Sequence, residues 1–86
     1  MSLKAFIDYL SLEKHYSVHT ITAYEKDIES FSAFAKAEFD QLNLEAIQYT
    51  QIRSWIVSLV DEGISNTTIN RKVSSLKSYY KFLLKI

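Results

Sequence analysis

Apolar residues recur along this chain at helical spacing. Leu3, Phe6, Ile7 and Leu10 fall three or four apart with Lys4, Asp8 and Glu13 elsewhere, which predicts a first helix over residues 2–15. Tyr16 and Ser17 interrupt the pattern. Ser17 is placed to cap a second helix that continues to Ala37, with Ile21, Tyr24, Ile28, Phe31 and Phe34 or Ala35 as its apolar stripe. The periodicity loosens from Glu38 to Ala46, where Phe39, Leu42 and Leu44 read as loop residues that plug into a core. Thr50 offers the next cap, for a third helix over 51–61 that buries Ile52, Trp55 or Ile56, and Leu59. It stops at Gly63, whose tolerance of positive φ suits a helix C-terminus. Ser65, Asn66 and Thr67 are alternative caps for a last helix over 66–85, with Ile69, Val73, Leu76, Tyr80 and Leu83 buried. No strand pattern, repeat or linker interrupts this. The reading is all-α, a compact four-helix bundle.

Length and composition narrow the class. At 86 residues the chain has material for one core, and it is expected to be one domain, over 1–86, of a longer protein. Cysteine is absent, so neither a disulfide framework nor a cysteine zinc site is available, which fits a reducing cytoplasm. No apolar run approaches the ~20 residues that cross a bilayer, and the N-terminus opens on an amphipathic pattern in place of a signal peptide, so no membrane partner is expected. Proline is absent and Gly63 is the sole glycine, a composition suited to helices and short turns.

Formal net charge is zero, which by itself argues against a nucleic-acid partner. The distribution reverses that argument. Up to Ser65, five bases (Lys4, Lys14, Lys26, Lys36, Arg53) face ten acids, whereas from Asn66 onward Arg71, Lys72, Lys77, Lys81 and Lys85 stand with no acid. Segregated charge leaves one basic element to present.

That element carries the candidate chemistry. At about 100° per residue, Arg71, Ser74, Ser75, Ser78 and Lys85 cluster opposite the apolar stripe, with Lys77 and Lys81 on their flanks. Small hydroxyl side chains allow close approach to a major groove while the cations reach phosphates. The helix N-terminus adds donors at Asn66, Thr67 and Thr68. A basic face is equally what a solvated helix shows, since lysines near a C-terminus also complement the helix dipole. The serines favour the DNA reading, because serine is a mediocre helix former that mere solubility does not call for. On the second helix, Ser17, His19, Thr20, Thr22 and Lys26 form a polar side, but Glu25, Asp27 and Glu29 confine any phosphate contact to its first turns.

Other chemistry is thinly represented. His15 and His19 have no cysteine or carboxylate pair at ligand spacing, so no metal and no cofactor is assigned, and no glycine-rich loop is present to cradle a nucleotide phosphate. Trp55, Tyr79 and Tyr80 could stack on bases but are read as core, with Tyr79 the most exposed of the three because it lies off the stripe. Asp61 and Glu62 shield a helix end.

Two motifs then carry a resemblance. Ser17-x-x-Thr20-x-x-x-Tyr24-x-x-Asp27-Ile28-x-x-Phe31-x-x-Phe34 is followed by Gly63-Ile64-Ser65-x-x-Thr68-Ile69-x-Arg71-Lys72-Val73-Ser74-Ser75-Leu76-Lys77-Ser78-Tyr79-Tyr80-x-Phe82-Leu83. In this order the chain resembles, over nearly its whole length, the N-terminal SAM-like core-binding domain of tyrosine recombinases, also called phage integrases. The resemblance implies a four-helix domain that joins a C-terminal catalytic domain in a C-shaped clamp around a half-site of recombination core DNA. It implies that the second and fourth helices meet the major groove, and that other recombinase protomers are partners in a synaptic complex. By position, Arg71 and Lys77 match basic residues of the DNA-facing helix, Ser74, Ser75 and Ser78 its small polar positions, and Thr20 and Tyr24 the second-helix motif, where they serve DNA, the start of the helix or packing. Lys72 and Lys81 join the candidates from the helical wheel alone, with Asn66 and Thr67 from the helix start.

The chain ends before the family's catalytic arginines, histidine and nucleophilic tyrosine, so no tyrosine here is read as the nucleophile, and the domain by itself is expected to be monomeric, bacterial or phage-encoded, and not an enzyme. Few phosphate contacts predict weak affinity for DNA without the second jaw. A different class of function, a helical protein-interaction module, would be favoured by an exposed apolar strip around Ile7 and Leu10.

Overall fold

Each apolar stripe becomes one helix. The computed structural model describes residues 2–41 and 43–84, and orders them as α1 (Ser2–Leu12), α2 (Val18–Phe39), a 3₁₀ turn (Leu44–Ala46), α3 (Tyr49–Asp61) and α4 (Asn66–Leu83). Leu42, expected in the core, and Lys85, expected on the basic face, lie outside the described residues. The all-α, four-helix reading holds across the described residues.

Local chemistry sets the helix ends. Ser17 and Ser65 cap α2 and α4 in the same way: each Oγ accepts from the backbone N–H three residues on, Thr20 at 3.2 Å and Thr68 at 3.3 Å. Each hydroxyl also meets the threonine hydroxyl, at 3.0 and 3.1 Å. Such a cap stabilises a helix by about 1 kcal/mol. Of the three caps weighed for α4, Ser65 is the one used, which leaves Asn66 and Thr67 in its first turn. Gly63 (φ 80) ends α3 as expected: its N–H donates to Val60 and that of Ile64 to Leu59, the paired bonds of a Schellman motif, and Ile64 packs on the core.

Other boundaries differ from expectation. α1 stops at Leu12, three residues short, because the chain turns at His15 (φ 55) and the Tyr16 N–H donates back to the Leu10 carbonyl. α2 runs on through Phe39, ending at Asp40 in a left-handed conformation. Phe39 is therefore a half-exposed helix residue against the edge of Phe34, not a core plug. Thr50 is not the cap of α3. Gln48 is, with its N–H donating to Gln51 Oε1 at 2.8 Å, and this pairing starts the helix two residues early.

α2 and α4 form the most extensive helix pair, and α1 and α3 each pack against both. Phe6 from α1 meets Tyr79 and Phe82 of α4 at 5.3 and 5.5 Å, and Phe31 of α2 stands edge-on to Trp55 of α3 at 5.0 Å. These aromatics, with Leu10, Ile28, Leu59, Ile69 and Leu76, make the core. Leu44 reaches its edge, where the Tyr80 hydroxyl donates to the Leu44 carbonyl at 2.6 Å and ties the 3₁₀ turn to α4. Burial pushes the Tyr80 phenol well above its ordinary range, with the neighbouring Tyr79 adding to the shift.

Because α4 touches all three other helices, its buried arc is wide and turned from the expected one. Ile69, Ser75, Leu76, Tyr79 and Phe82 are buried, while Val73, Tyr80 and Leu83 are only partly so. The buried centre is rotated by roughly 70° on the wheel. Tyr79, expected to be the most exposed aromatic, is 3% exposed and packed on Phe6. Among the described residues no helix is long and apolar enough to cross a membrane.

Candidate nucleic-acid interface

Rotation of α4 moves its outward strip. Asn66, Thr67, Asn70, Arg71, Ser74, Lys77 and Lys81 are all exposed, following one another at helical spacing along the outer side of α4. α4 has no acidic residue, and neither Lys77 nor Lys81 makes an ion pair among the described residues. Two unshared ammonium groups flanked by asparagine, threonine and serine leave both charge and neutral donors facing water. Asn70 belongs to this strip and escaped the sequence reading. It sits four residues after Asn66 and four before Ser74, a spacing that would have placed it once the stripe was centred correctly.

Behind the strip lies the second feature missed in the sequence. Asp27 of α2 is 1% exposed and is enclosed by three partners from α4. Arg71 Nη2 donates to its Oδ1 at 2.9 Å, Lys72 Nζ approaches the same oxygen at 3.4 Å, and the Ser75 hydroxyl donates to Oδ2 at 2.7 Å. The sequence reading counted Asp27 among acids that repel phosphate. Its position, three residues after Tyr24 and four before Phe31, put it on the buried side of α2 all along. A buried carboxylate needs paired charge, and here two cations answer one anion. The Arg71 side chain remains 55% exposed, so it faces solvent while its guanidinium is held from behind.

The start of α2 completes the surface. A cleft between the two helices is lined by His19, Thr20, Ala23, Tyr24, Arg71 and Ser75. Thr20 is exposed but engaged with the Ser17 cap, and Tyr24 is half-buried with its ring 5.8 Å from Tyr16 and 6.1 Å from Phe6. Both residues thus have structural partners in addition to their place beside the cleft.

Measured against the expected site, the structure groups Asn66, Thr67, Ser74, Lys77 and Lys81 on one strip, with Arg71 at its inner edge and Thr20 and Tyr24 across the cleft. Ser78 is half-buried at the strip's margin. Ser75 is corrected: at 2% exposure, with its hydroxyl donating to Asp27, it lies at the floor of the cleft and not on the outer strip. Lys72 is likewise turned inward, its side chain 16% exposed and paired with Asp27. Ser75 was placed on the outer face by a stripe centred on Val73 and Tyr80. Among the described residues no group of histidine and acidic side chains could hold a metal ion.

Residues 3–85 match the family described as "Phage integrase, N-terminal SAM-like domain". The chain is 40% identical over 82 residues to the tyrosine recombinase XerC of Listeria innocua, covering 95% of this chain and 27% of that protein. It is 40% identical over 84 residues to the tyrosine recombinase XerC of Anoxybacillus flavithermus, covering 98% and 28%. It is 36% identical over 83 residues to that of Bacillus subtilis, covering 96% and 27%. The chain therefore spans little more than a quarter of the length of these relatives. No solved structure gives a significant match.

Proposed function

The chain belongs to the phage integrase N-terminal SAM-like domain family, and on that premise we propose that it is the DNA-binding domain of a site-specific tyrosine recombinase. It holds double-stranded DNA of a recombination core half-site against the outer strip of α4 and the first turns of α2. Strand cleavage and exchange belong to the part of such a recombinase that lies outside the matched segment, and this domain supplies one jaw of the clamp. Other recombinase protomers are its protein partners on DNA, and alone it is a cytoplasmic monomer of bacterial or phage origin.

One observation carries this reading: the exposed strip of α4 presents Lys77 and Lys81 without acidic partners among the described residues and Arg71 braced from behind, on a helix free of carboxylates. Cations in that state release counterions when they meet phosphate, and that release supplies most of the sequence-independent affinity for DNA. Arg71, Lys77 and Lys81 serve phosphates, while Asn70, Ser74, Asn66 and Thr67 are short enough to let the helix approach base edges. An exposed apolar strip at Ile7 and Leu10 would have favoured the interaction-module alternative, and Leu10 is in the core.

An NMR titration with a short duplex at low and moderate salt tests the proposal. Amide shifts are expected from Asn66 to Lys81 and at Val18 to Ala23, fading as salt rises. Shifts confined to α3, or none in α4 at low salt, would overturn it.

A further inference from the structure

A second, smaller notch adjoins the cleft at the start of α2 and shares Tyr24 with it. It lies between the end of α1, the α1–α2 connection and α4. Lys14, Tyr16, Ser78 and Lys81 line it above a base that includes the buried Phe6 and Leu10, and among the described residues no carboxylate lines it. Sequence reading gave Lys14 no role and placed it in the first helix, over 2–15, in the acidic half of the chain; the structure puts it in the connection after α1.

The connection that carries Lys14 is held in place. The Lys14 N–H donates to the Tyr9 carbonyl at 3.2 Å and the Tyr16 N–H to the Leu10 carbonyl at 3.1 Å, with His15 between them in the left-handed conformation. The Lys14 ammonium stands 5.9 Å from the centre of the Tyr9 ring. Ser78, half-buried on the α4 side, has a hydroxyl without a hydrogen-bond partner among the described residues, and Lys81 makes no ion pair among them. A wall with two cations, a spare hydroxyl and no acid suits a compact oxyanion. Lysine acts there as a point charge and serine as a neutral donor.

We propose that this notch receives a backbone phosphate of bound duplex DNA, with Lys14 and Lys81 supplying charge and Ser78 a hydrogen bond. The α1–α2 connection then touches DNA together with α2 and α4. The inference rests on the DNA-binding reading above and extends its footprint: Arg71 and Lys81 are about ten residues apart on α4, roughly 15 Å along the axis, with the two clefts joined at Tyr24 between them.

The test is the salt dependence of duplex binding by the chain and its Lys14→Gln, Lys14→Arg, Lys77→Gln and Lys36→Gln variants, each first shown by circular dichroism to be folded. Losing one phosphate contact should lower the slope of log affinity against log salt by about 0.9, equally on unrelated duplex sequences. Lys14→Gln is expected to show that drop, Lys14→Arg to restore the slope, and Lys36→Gln to leave it unchanged. If Lys77→Gln lowers the slope while Lys14→Gln does not, the notch is empty of phosphate and the DNA-binding reading survives. If Lys36→Gln falls as far as Lys14→Gln, the effect is general charge and the notch proposal is overturned. If the chain shows no salt-dependent binding, the DNA-binding reading fails and takes the notch with it.

Discussion

Asp27 and Arg71, 44 residues apart in the chain, meet inside the protein, the guanidinium donating at 2.9 Å to a carboxylate that is 1% exposed. The pair joins α2 to α4 beside the proposed DNA surface. It also explains how a basic residue can be braced without being neutralised, since Lys72 and Ser75 share the same carboxylate.

Removing the anion should therefore cost more than removing the exposed cation. Asp27→Ala strands Lys72 and Arg71 without a counter-charge and is expected to destabilise by about 3 kcal/mol, as for a broken buried pair. Arg71→Ala leaves two partners on Asp27 and should cost about 1 kcal/mol. Urea denaturation of both variants measures the difference, and equal losses would mean that Asp27 depends on Arg71 alone.

Neighbouring serines should separate stability from binding. Ser75→Ala deletes the 2.7 Å bond to Asp27 and is expected to cost about 1–3 kcal/mol with little change in the salt slope of DNA binding. Ser74→Glu puts an acid on the exposed strip and should weaken duplex binding several-fold with stability within about 0.5 kcal/mol of the parent. Thermal melts and fluorescence anisotropy on the two proteins read both quantities.

Leu76 lies in the core at 2% exposure, where α4 faces the interior. Leu76→Ala should cost about 2–5 kcal/mol through lost transfer energy and the cavity left behind. A loss below about 1 kcal/mol in chemical denaturation would place α4 in a different register.

Tyr80 gives the fold an alkaline limit. Its phenol is raised above the ordinary value of 10.0, first by burial and then by Tyr79. A group that holds its proton more tightly when folded stabilises the fold fully below its unfolded value and loses that contribution as pH climbs toward the folded one. Stability should therefore fall as pH rises past about 10. Tyrosinate absorbance should show a late-ionising phenol that the Tyr80→Phe variant lacks. Tyr80→Phe should cost about 1 kcal/mol at neutral pH, by removing the shorter of the two hydrogen bonds to the Leu44 carbonyl, which keeps only the Ile47 N–H, and should flatten the alkaline decline.

The sequence by itself determined the number and order of the helices, the Ser17 cap, the Gly63 stop and the segregation of charge onto the last helix. All of these are set within a turn or two of chain, by backbone caps, side-chain periodicity and composition. It also carried the two motifs that led to the family. Tertiary structure decided which side of α4 faces out, because that depends on how many neighbours a helix has. Packing against α1, α2 and α3 drew Tyr79 and Phe82 inward toward Phe6, and the buried charge of Asp27 drew Ser75 and Lys72 with it. A helical wheel ranks residues by their own hydrophobicity and cannot register a serine that is buried because an acid 48 residues away requires its hydroxyl.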